Sequence, residues 1–221
     1  AEFRDYFRKW FVGILPALLD DTVVNHEILV LIGEQGLYKT TWFNFLLPPE
    51  LRCYFYTKTN SDRLNKDDLF SLTEFALICF EELDGMRPAE LNQLKAMVTM
   101  PYVNERAAYG RNKERHPHIA SFCGTGNNVQ FLTDPTGNRR WLPFEVSQIR
   151  DPHLHAIPYE LVYSQAYALW KSGFCHWFSQ EEIRKLNMHN SRFEVPNLEE
   201  DLIRTHFRKP FEGEAGIFVT A

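Results

Sequence analysis

The stretch HEILVLIGEQGLYKTTW, residues 26–42, constrains this chain more than any other. Five consecutive apolar residues, Ile28 to Ile32, end at Gly33, which is how a strand buried on both faces of a parallel sheet reads. A loop with two glycines follows, and then helix-compatible sequence begins at Lys39. Gly33, Lys39 and Thr40 stand as they do in the phosphate-loop pattern G-x-x-x-x-G-K-[ST]. In that arrangement the loop N–H groups of Gly33, Glu34, Gln35, Gly36, Leu37, Tyr38, Lys39, Thr40 and Thr41 cradle an anion at a helix N-terminus. Lys39 would reach the β- and γ-phosphates of a nucleotide, and the Thr40 hydroxyl would ligate magnesium. One residue departs from the pattern. Tyr38 occupies the position of a glycine, which is tolerable if its φ is negative, since only a positive φ strongly demands glycine. A plain loop between strand and helix is the competing explanation.

Strands and helices alternate through the rest of the chain. "RCYFYTKT" and "EFALICFEELDG" each hold a strand, "RPAELNQLKAMVT" is an amphipathic helix with Pro88 in its first turn, and "PHIASFCGTGN" and "RRWLPFEV" supply two further strands. The opening residues space their apolar side chains helically, with a break expected at Pro16. From Pro158 the sequence turns helical, and Ser179-x-x-Glu182 forms a capping box. The expectation is an α/β fold with a parallel sheet flanked by helices. It divides into a helical lead-in (1–24), a core (25–150) and a helical C-terminal extension (151–221). The abrupt ends suggest a piece cut from a longer protein.

Composition excludes several classes. Of the 221 residues, 44% are hydrophobic and 24% charged, as in an ordinary globular protein. No apolar run approaches the roughly 20 residues of a membrane span, and no signal-peptide pattern opens the chain. The four cysteines form no C-x-x-C pair, so reduced thiols in a cytoplasm are expected. A net charge of −5 confines nucleic-acid contact to a local basic patch. The H-x-H pairs at His116/His118 and His153/His155 lack further ligands at metal-binding spacing. Trp10, Phe11, Tyr163, Tyr167 and Trp170 read as packing residues, and Lys95 as structural or near the nucleotide.

Three further motifs follow the loop in order. Glu81-Glu82 sits at the carboxyl end of the strand LICF, where α/β sheets bind ligands. Phosphoryl transfer needs one carboxylate on a metal and one to orient water, so Glu81 takes the metal and Glu82 the water. "GTGNN" ends the next strand and offers an asparagine amide to the attacking water or the γ-phosphate. "DPTGNRRW" presents Arg139 and Arg140, which could neutralise phosphate charge in cis or from a neighbouring subunit.

"GEQGLYKTTW", "FEELDG", "LKAMVTMPYVNERAAYGR", "ASFCGTGNN" and "DPTGNRRWLPFEV" together resemble the virulence-associated E family, strongly over residues 25–146. Its ATPase domain is similar to superfamily 3 helicases and to the helicase part of phage and plasmid primases. The resemblance implies a P-loop NTPase of the AAA+ kind, hydrolysing ATP with Mg2+ in a ring homo-oligomer around single-stranded DNA. It implies Walker A roles for Lys39 and Thr40, Walker B roles for Glu81 and Glu82, a polar-sensor role for Asn127, and an arginine-finger or second-sensor role for Arg139 and Arg140. Many relatives have Asp where Glu81 stands. The basic cluster Arg106, Arg111, Lys113 and Arg115 falls where related helicases carry pore loops that grip the DNA backbone. The resemblance also implies a primase-like region before this domain and a winged helix after it. A nucleotide kinase and a nucleotide-gated binding module without hydrolysis are the alternatives. Tyr38 and Glu81 favour the latter.

Overall fold

The computed structural model describes residues 2–59, 66–105, 114–133, 138–196, 202, 203 and 205–207. Helix α1 (Glu2–Leu19) buries Tyr6, Trp10, Phe11 and Ile14, apolar positions at helical spacing. The expected break at Pro16 does not occur, and the Asp20 N–H still reaches the Pro16 carbonyl at 2.9 Å. Pro16 stands one turn from the helix end, so its missing N–H forfeits a single backbone bond while its ring is buried.

The elements then run β1 (Ile28–Ile32), α2 (Lys39–Asn44), β2 (Phe55–Lys58), α3 (Lys66–Glu74), β3 (Leu77–Phe80) and α4 (Pro88–Val98). After them come β4 (Tyr102–Glu105), β5 (Glu114–Pro117), β6 (Ser121–Gly126), β7 (Trp141–Glu145), α5 (Tyr159–Lys171) and α6 (Gln180–Asn190). Among the described residues, five strands form one parallel sheet in the order β2-β3-β6-β1-β7. The apolar run of β1 supplies both faces of this sheet. Leu29 and Leu31 point to a core shared with α1, α2, α5 and α6, while Ile28, Val30 and Ile32 point to a second core under α3 and α4. Trp10 fastens α1 to the sheet by donating from Nε1 to the Phe122 carbonyl at 2.9 Å. Asn25 reinforces it with bonds to the Trp10 carbonyl (3.0 Å) and the Ser121 hydroxyl (3.1 Å).

Two parts of the fold are not read from the sequence. Helix α3 follows a polar segment, and its Asp68 carboxylate forms a buried ion pair with Lys58 at 2.6 Å. Strands β4 and β5 make a small antiparallel hairpin whose four-residue members, YVNE and ERHP, show no clean alternation. Helix α2 is shorter than its apolar run suggests and gives way to a turn at Phe45. At the other end of the chain, the capping box at Ser179 forms as expected, and α5 gives way to a left-handed Gly173.

Helix α6 closes the outer edge of the sheet. Asn190 donates to the carbonyls of Asn138 (2.7 Å) and Trp141 (3.0 Å), and His189 Nε2 donates to the Pro143 carbonyl at 2.7 Å. Of the aromatics read as packing residues, Trp10 and Phe11 are buried in the core. Tyr163 donates to the Leu46 carbonyl at 3.1 Å. Tyr167 instead is exposed on α5, its ring edge-on to Trp170.

Glu27, at the foot of β1, is set in a cavity with His26, Arg139, Arg140 and Phe178, and burial pushes its carboxyl up to about 7. A raised folded-state pKa stabilises below the unfolded value of 4.5, and that stability is lost as pH rises through 7. His26, held low by burial, acts in the opposite direction and is common to both proteins compared. Glu27→Gln should therefore be more stable than the unmodified chain above pH 7, by about 1–3 kcal/mol, and no more stable below pH 4.5. Urea midpoints across pH 4–8 measure the difference, and parallel curves would show that Glu27 is not desolvated.

Candidate active site

The strand order creates the site. β6 lies between β1 and β3, with Ile32 opposite Gly126 and Phe80 opposite Gly124. The residues that follow these strands, Gly33, Glu81 and Asn127, therefore emerge side by side at one carboxyl edge. Glu81 and Asn127 line a cavity of about 400 Å³ with Gly36, Lys39, Thr40 and Glu82. The loop must approach the end of β7 closely, since a Cβ at Gly33 would lie 2.4 Å from the Val146 carbonyl oxygen.

Lys39 is buried, and its ammonium donates to the carbonyls of Gly33 (2.5 Å) and Glu34 (2.7 Å) and to Asn127 Oδ1 (3.3 Å). Burial lowers its pKa, and the nearby Asp84 carboxylate opposes that shift. Thr40 Oγ1 donates to Glu81 Oε1 at 2.7 Å, joining the helix start to the end of β3. Lys39, Thr40, Glu81, Glu82 and Asn127 thus converge as the sequence order suggests.

The turn after β3 is fixed by an acid that motif reading missed. Asp84 accepts from the backbone N–H of Asn127 (3.1 Å) and of Asn128 (3.0 Å), so it holds the asparagine at the site. The small residues of "GTGN" make this possible. A Cβ at Gly124 would lie 2.3 Å from Leu83 Cδ1, and one at Gly126 would lie 3.0 Å from Asp84 Oδ1. The third acid of "FEELDG", set against glycines of β6, three strands later in sequence, was the available signal.

Backbone strain gathers here too. Tyr38 has φ 60° and ψ 21°, so the condition of a negative φ is not met and the tyrosine takes the conformation that favours glycine. The turn into α2 takes a left-handed residue at this position, with the Tyr38 carbonyl accepting from the Trp42 N–H at 2.7 Å. Glu82 has φ 54° and ψ 44°, also left-handed. Among the described residues these two are the non-glycine residues with positive φ, and both border the same cavity.

Two expected contributors lie elsewhere. Arg139 and Arg140 precede β7, where Trp141 pairs with Ile28 at the foot of β1. Five residues of strand, roughly 16 Å, separate that edge from the phosphate loop. The structure does not bring them to the cavity of their own chain, so the second-sensor role in cis is not available to them. Of the basic cluster, Arg106, Arg111 and Lys113 lie outside the described residues. Arg115 is exposed on β5, its guanidinium 3.4 Å from the Tyr102 ring centroid.

A family model, the virulence-associated protein E-like domain, matches residues 2–195. The chain belongs to that family. Its fold is α/β, a parallel sheet flanked by helices, and the virulence-associated protein E-like match extends over α1, α5 and α6 as well as the sheet. No curated protein matches the chain. Solved structures of similar shape include the apo NrS-1 C-terminal region, at 14% identity and TM-score 0.48, covering 90% of this chain and 47% of that one. Its A form gives 16% identity and TM-score 0.46, covering 91% and 46%. A RuvB mutant of Thermotoga maritima gives 14% identity and TM-score 0.40, covering 65% and 45%. The virulence-associated protein E-like chain thus spans less than half the length of each of these. No helix among its described residues is long and apolar enough to cross a membrane.

Replacing Tyr38 separates strain from side-chain contact. The tyrosine is 43% exposed, so its ring contributes little burial. Tyr38→Gly should be more stable than Tyr38→Ala by about 1 kcal/mol, because alanine retains the left-handed penalty and glycine does not. Equal urea midpoints for the two variants would refute the strained geometry.

Proposed function

We propose that this domain hydrolyses ATP and couples hydrolysis to binding or translocation along single-stranded DNA, as the helicase-type ATPase of a phage-like or mobile-element replication protein. The observation that carries the reading is the Thr40–Glu81 hydrogen bond at 2.7 Å beside Lys39 and Asn127, four groups from three adjacent strand ends. The Lys39 ammonium, now satisfied by loop carbonyls, would turn to phosphate oxygens, a stronger charge-assisted pairing. Loop N–H groups would orient the triphosphate.

The Thr40 hydroxyl and the Glu81 carboxylate are hard oxygen donors, and no group of three or more His, Cys, Asp or Glu forms a metal cage among the described residues. That sparse oxygen set fits magnesium, which keeps waters and shares phosphate oxygens rather than filling an all-protein site. Magnesium held there would neutralise phosphate charge. Glu82 would orient the attacking water and draw its proton, and Asn127, fixed by Asp84, would bond the water or the γ-phosphate.

The kinase alternative loses ground because paired carboxylates at a strand end activate water. The binding-module alternative keeps one supporting observation, the left-handed Tyr38. The distance of Arg139 and Arg140 from their own cavity favours delivery to a neighbouring copy in a ring. Arg106, Arg111, Lys113 and Arg115 would contact DNA phosphates.

Lys39→Ala should abolish ATP binding while leaving the fold intact. Glu82→Gln should bind ATP but hydrolyse it about 10²–10⁴-fold more slowly, as loss of a general base typically costs. Turnover within about threefold of the unmodified chain would remove Glu82 from the role. Phosphate release with and without single-stranded DNA tests the coupling, and no stimulation by DNA would favour the binding module.

Delivery in trans makes a separate prediction. A Lys39→Ala protein mixed with an Arg139→Ala/Arg140→Ala protein, each inactive alone, should regain part of the ATPase rate through mixed interfaces. An arginine supplied this way can be worth about 10³–10⁵ in rate. No recovery where the two demonstrably co-assemble would rule the arginines out of a neighbour's site.

A further inference from the structure

Residues of α1 and α6 line a groove of about 690 Å³. Two contacts tie its walls: Lys9 pairs with Glu182 at 3.0 Å, and His189 Nδ1 lies 3.3 Å from a Glu2 carboxylate oxygen. Tyr6 lines the groove and is only 8% exposed, yet its hydroxyl has no hydrogen-bond partner among the described residues. Burial and the carboxylates of Glu2, Glu182 and Asp5 raise its pKa, so the phenol keeps a proton to donate. Met188 of α6 lines the same groove and is 78% exposed, an apolar side chain its own chain leaves uncovered. Glu2 and Asp5 bring acidic charge from the first turn of α1, while Lys185 and Arg192 bring basic charge from α6 and the residues just after it.

The chain also carries a piece of matching chemistry. A helical turn lies near its C-terminal end, where the Phe207 N–H donates to the Ile203 carbonyl at 2.7 Å. Leu202, Ile203 and Phe207 are 59%, 58% and 56% exposed. At about 100° per residue the three fall within roughly 140° of arc, so they make one apolar face that their own chain leaves open to solvent. In the sequence, Glu199, Glu200 and Asp201 precede this turn, and Arg208 and Lys209 follow it. We propose that the groove between α1 and α6 receives this turn from a second copy of the chain. Leu202, Ile203 and Phe207 cover Met188 and Phe174, as the apolar centre of an interface does. The acids before the turn face Lys185 and Arg192, and the bases after it face Glu2 and Asp5, which fixes its direction in the groove. The Tyr6 hydroxyl donates to one of the carbonyls that a helix end leaves unpaired. Turn and groove are different surfaces, so the contact is heterologous and joins copies in series.

Two substitutions at exposed positions address the two surfaces separately and leave the core untouched. Met188→Glu puts a charge in the groove, and Phe207→Asp puts one on the turn. Sedimentation velocity over a concentration series, with no nucleotide present, measures the association. The unmodified chain should self-associate, and each variant alone should do so at least about tenfold more weakly. Mixed together, the two variants should form a pair of one copy of each. The intact turn of the Met188→Glu protein still fits the intact groove of the Phe207→Asp protein. Urea midpoints equal to that of the unmodified chain certify that both variants fold. An unmodified chain that stays monomeric throughout, as it does if the turn folds back into its own groove, overturns the proposal. So does association that survives both substitutions, or a mixture that fails to pair.

Discussion

Burial of β1 on both faces is the constraint on which everything else in this fold rests. A strand whose alternate residues enter two different cores needs helices on each side and strands on each edge. The chain meets that need with α1, α2, α5 and α6 on one face and α3 and α4 on the other. Because β6 and β7 both pair with β1 in parallel register, every neighbouring strand ends at the same edge as Ile32. The convergence of Gly33, Glu81 and Asn127 is a by-product of that register. In a sheet ordered by sequence, β1-β2-β3-β6-β7, Glu81 and Asn127 would still be neighbours, but whole strands would separate both from Gly33.

The site adds local devices to this frame. Lys39 donates to two loop carbonyls in a buried setting, where burial lowers its pKa and the field of Asp84 opposes that shift. Asp84 in turn spends both carboxylate oxygens on backbone N–H groups, so the asparagine loop is positioned by an acid with no chemical step of its own. The left-handed backbones of Tyr38 and Glu82 cost on the order of 1–3 kcal/mol each and persist because the surrounding strands dictate the chain's path.

How much of this was legible in the sequence depends on the kind of signal. The parallel sheet was legible because LICF and ILVLI are apolar without alternation, and the phosphate loop because its spacing is fixed by the anion it holds. The pairing of Thr40 with Glu81 followed from their motifs. Strand order within the sheet carries no local signal, so the placement of Arg139 and Arg140 at the far edge had to come from the register of β7. The sign of φ at Tyr38 was not legible, because residue preference leaves it open and the geometry of the strand and helix on either side decides it. Asp84 was passed over because its partners lie more than forty residues away. The hairpin of β4 and β5 is too short and too polar to show a period.

The outer edge of β7 has a consequence for how copies of this chain can meet. An unguarded edge strand offers a row of N–H and C=O groups on which another chain can extend the sheet. Here Pro143 has no N–H to offer, and the carbonyls of Trp141 and Pro143 are already taken by Asn190 and His189. The sheet ends at this edge as a sealed seam. A neighbour approaching β7 finds helix α6 and its side chains, so contact there is made and released by side-chain surfaces, without the backbone ladder that would lock one copy to the next.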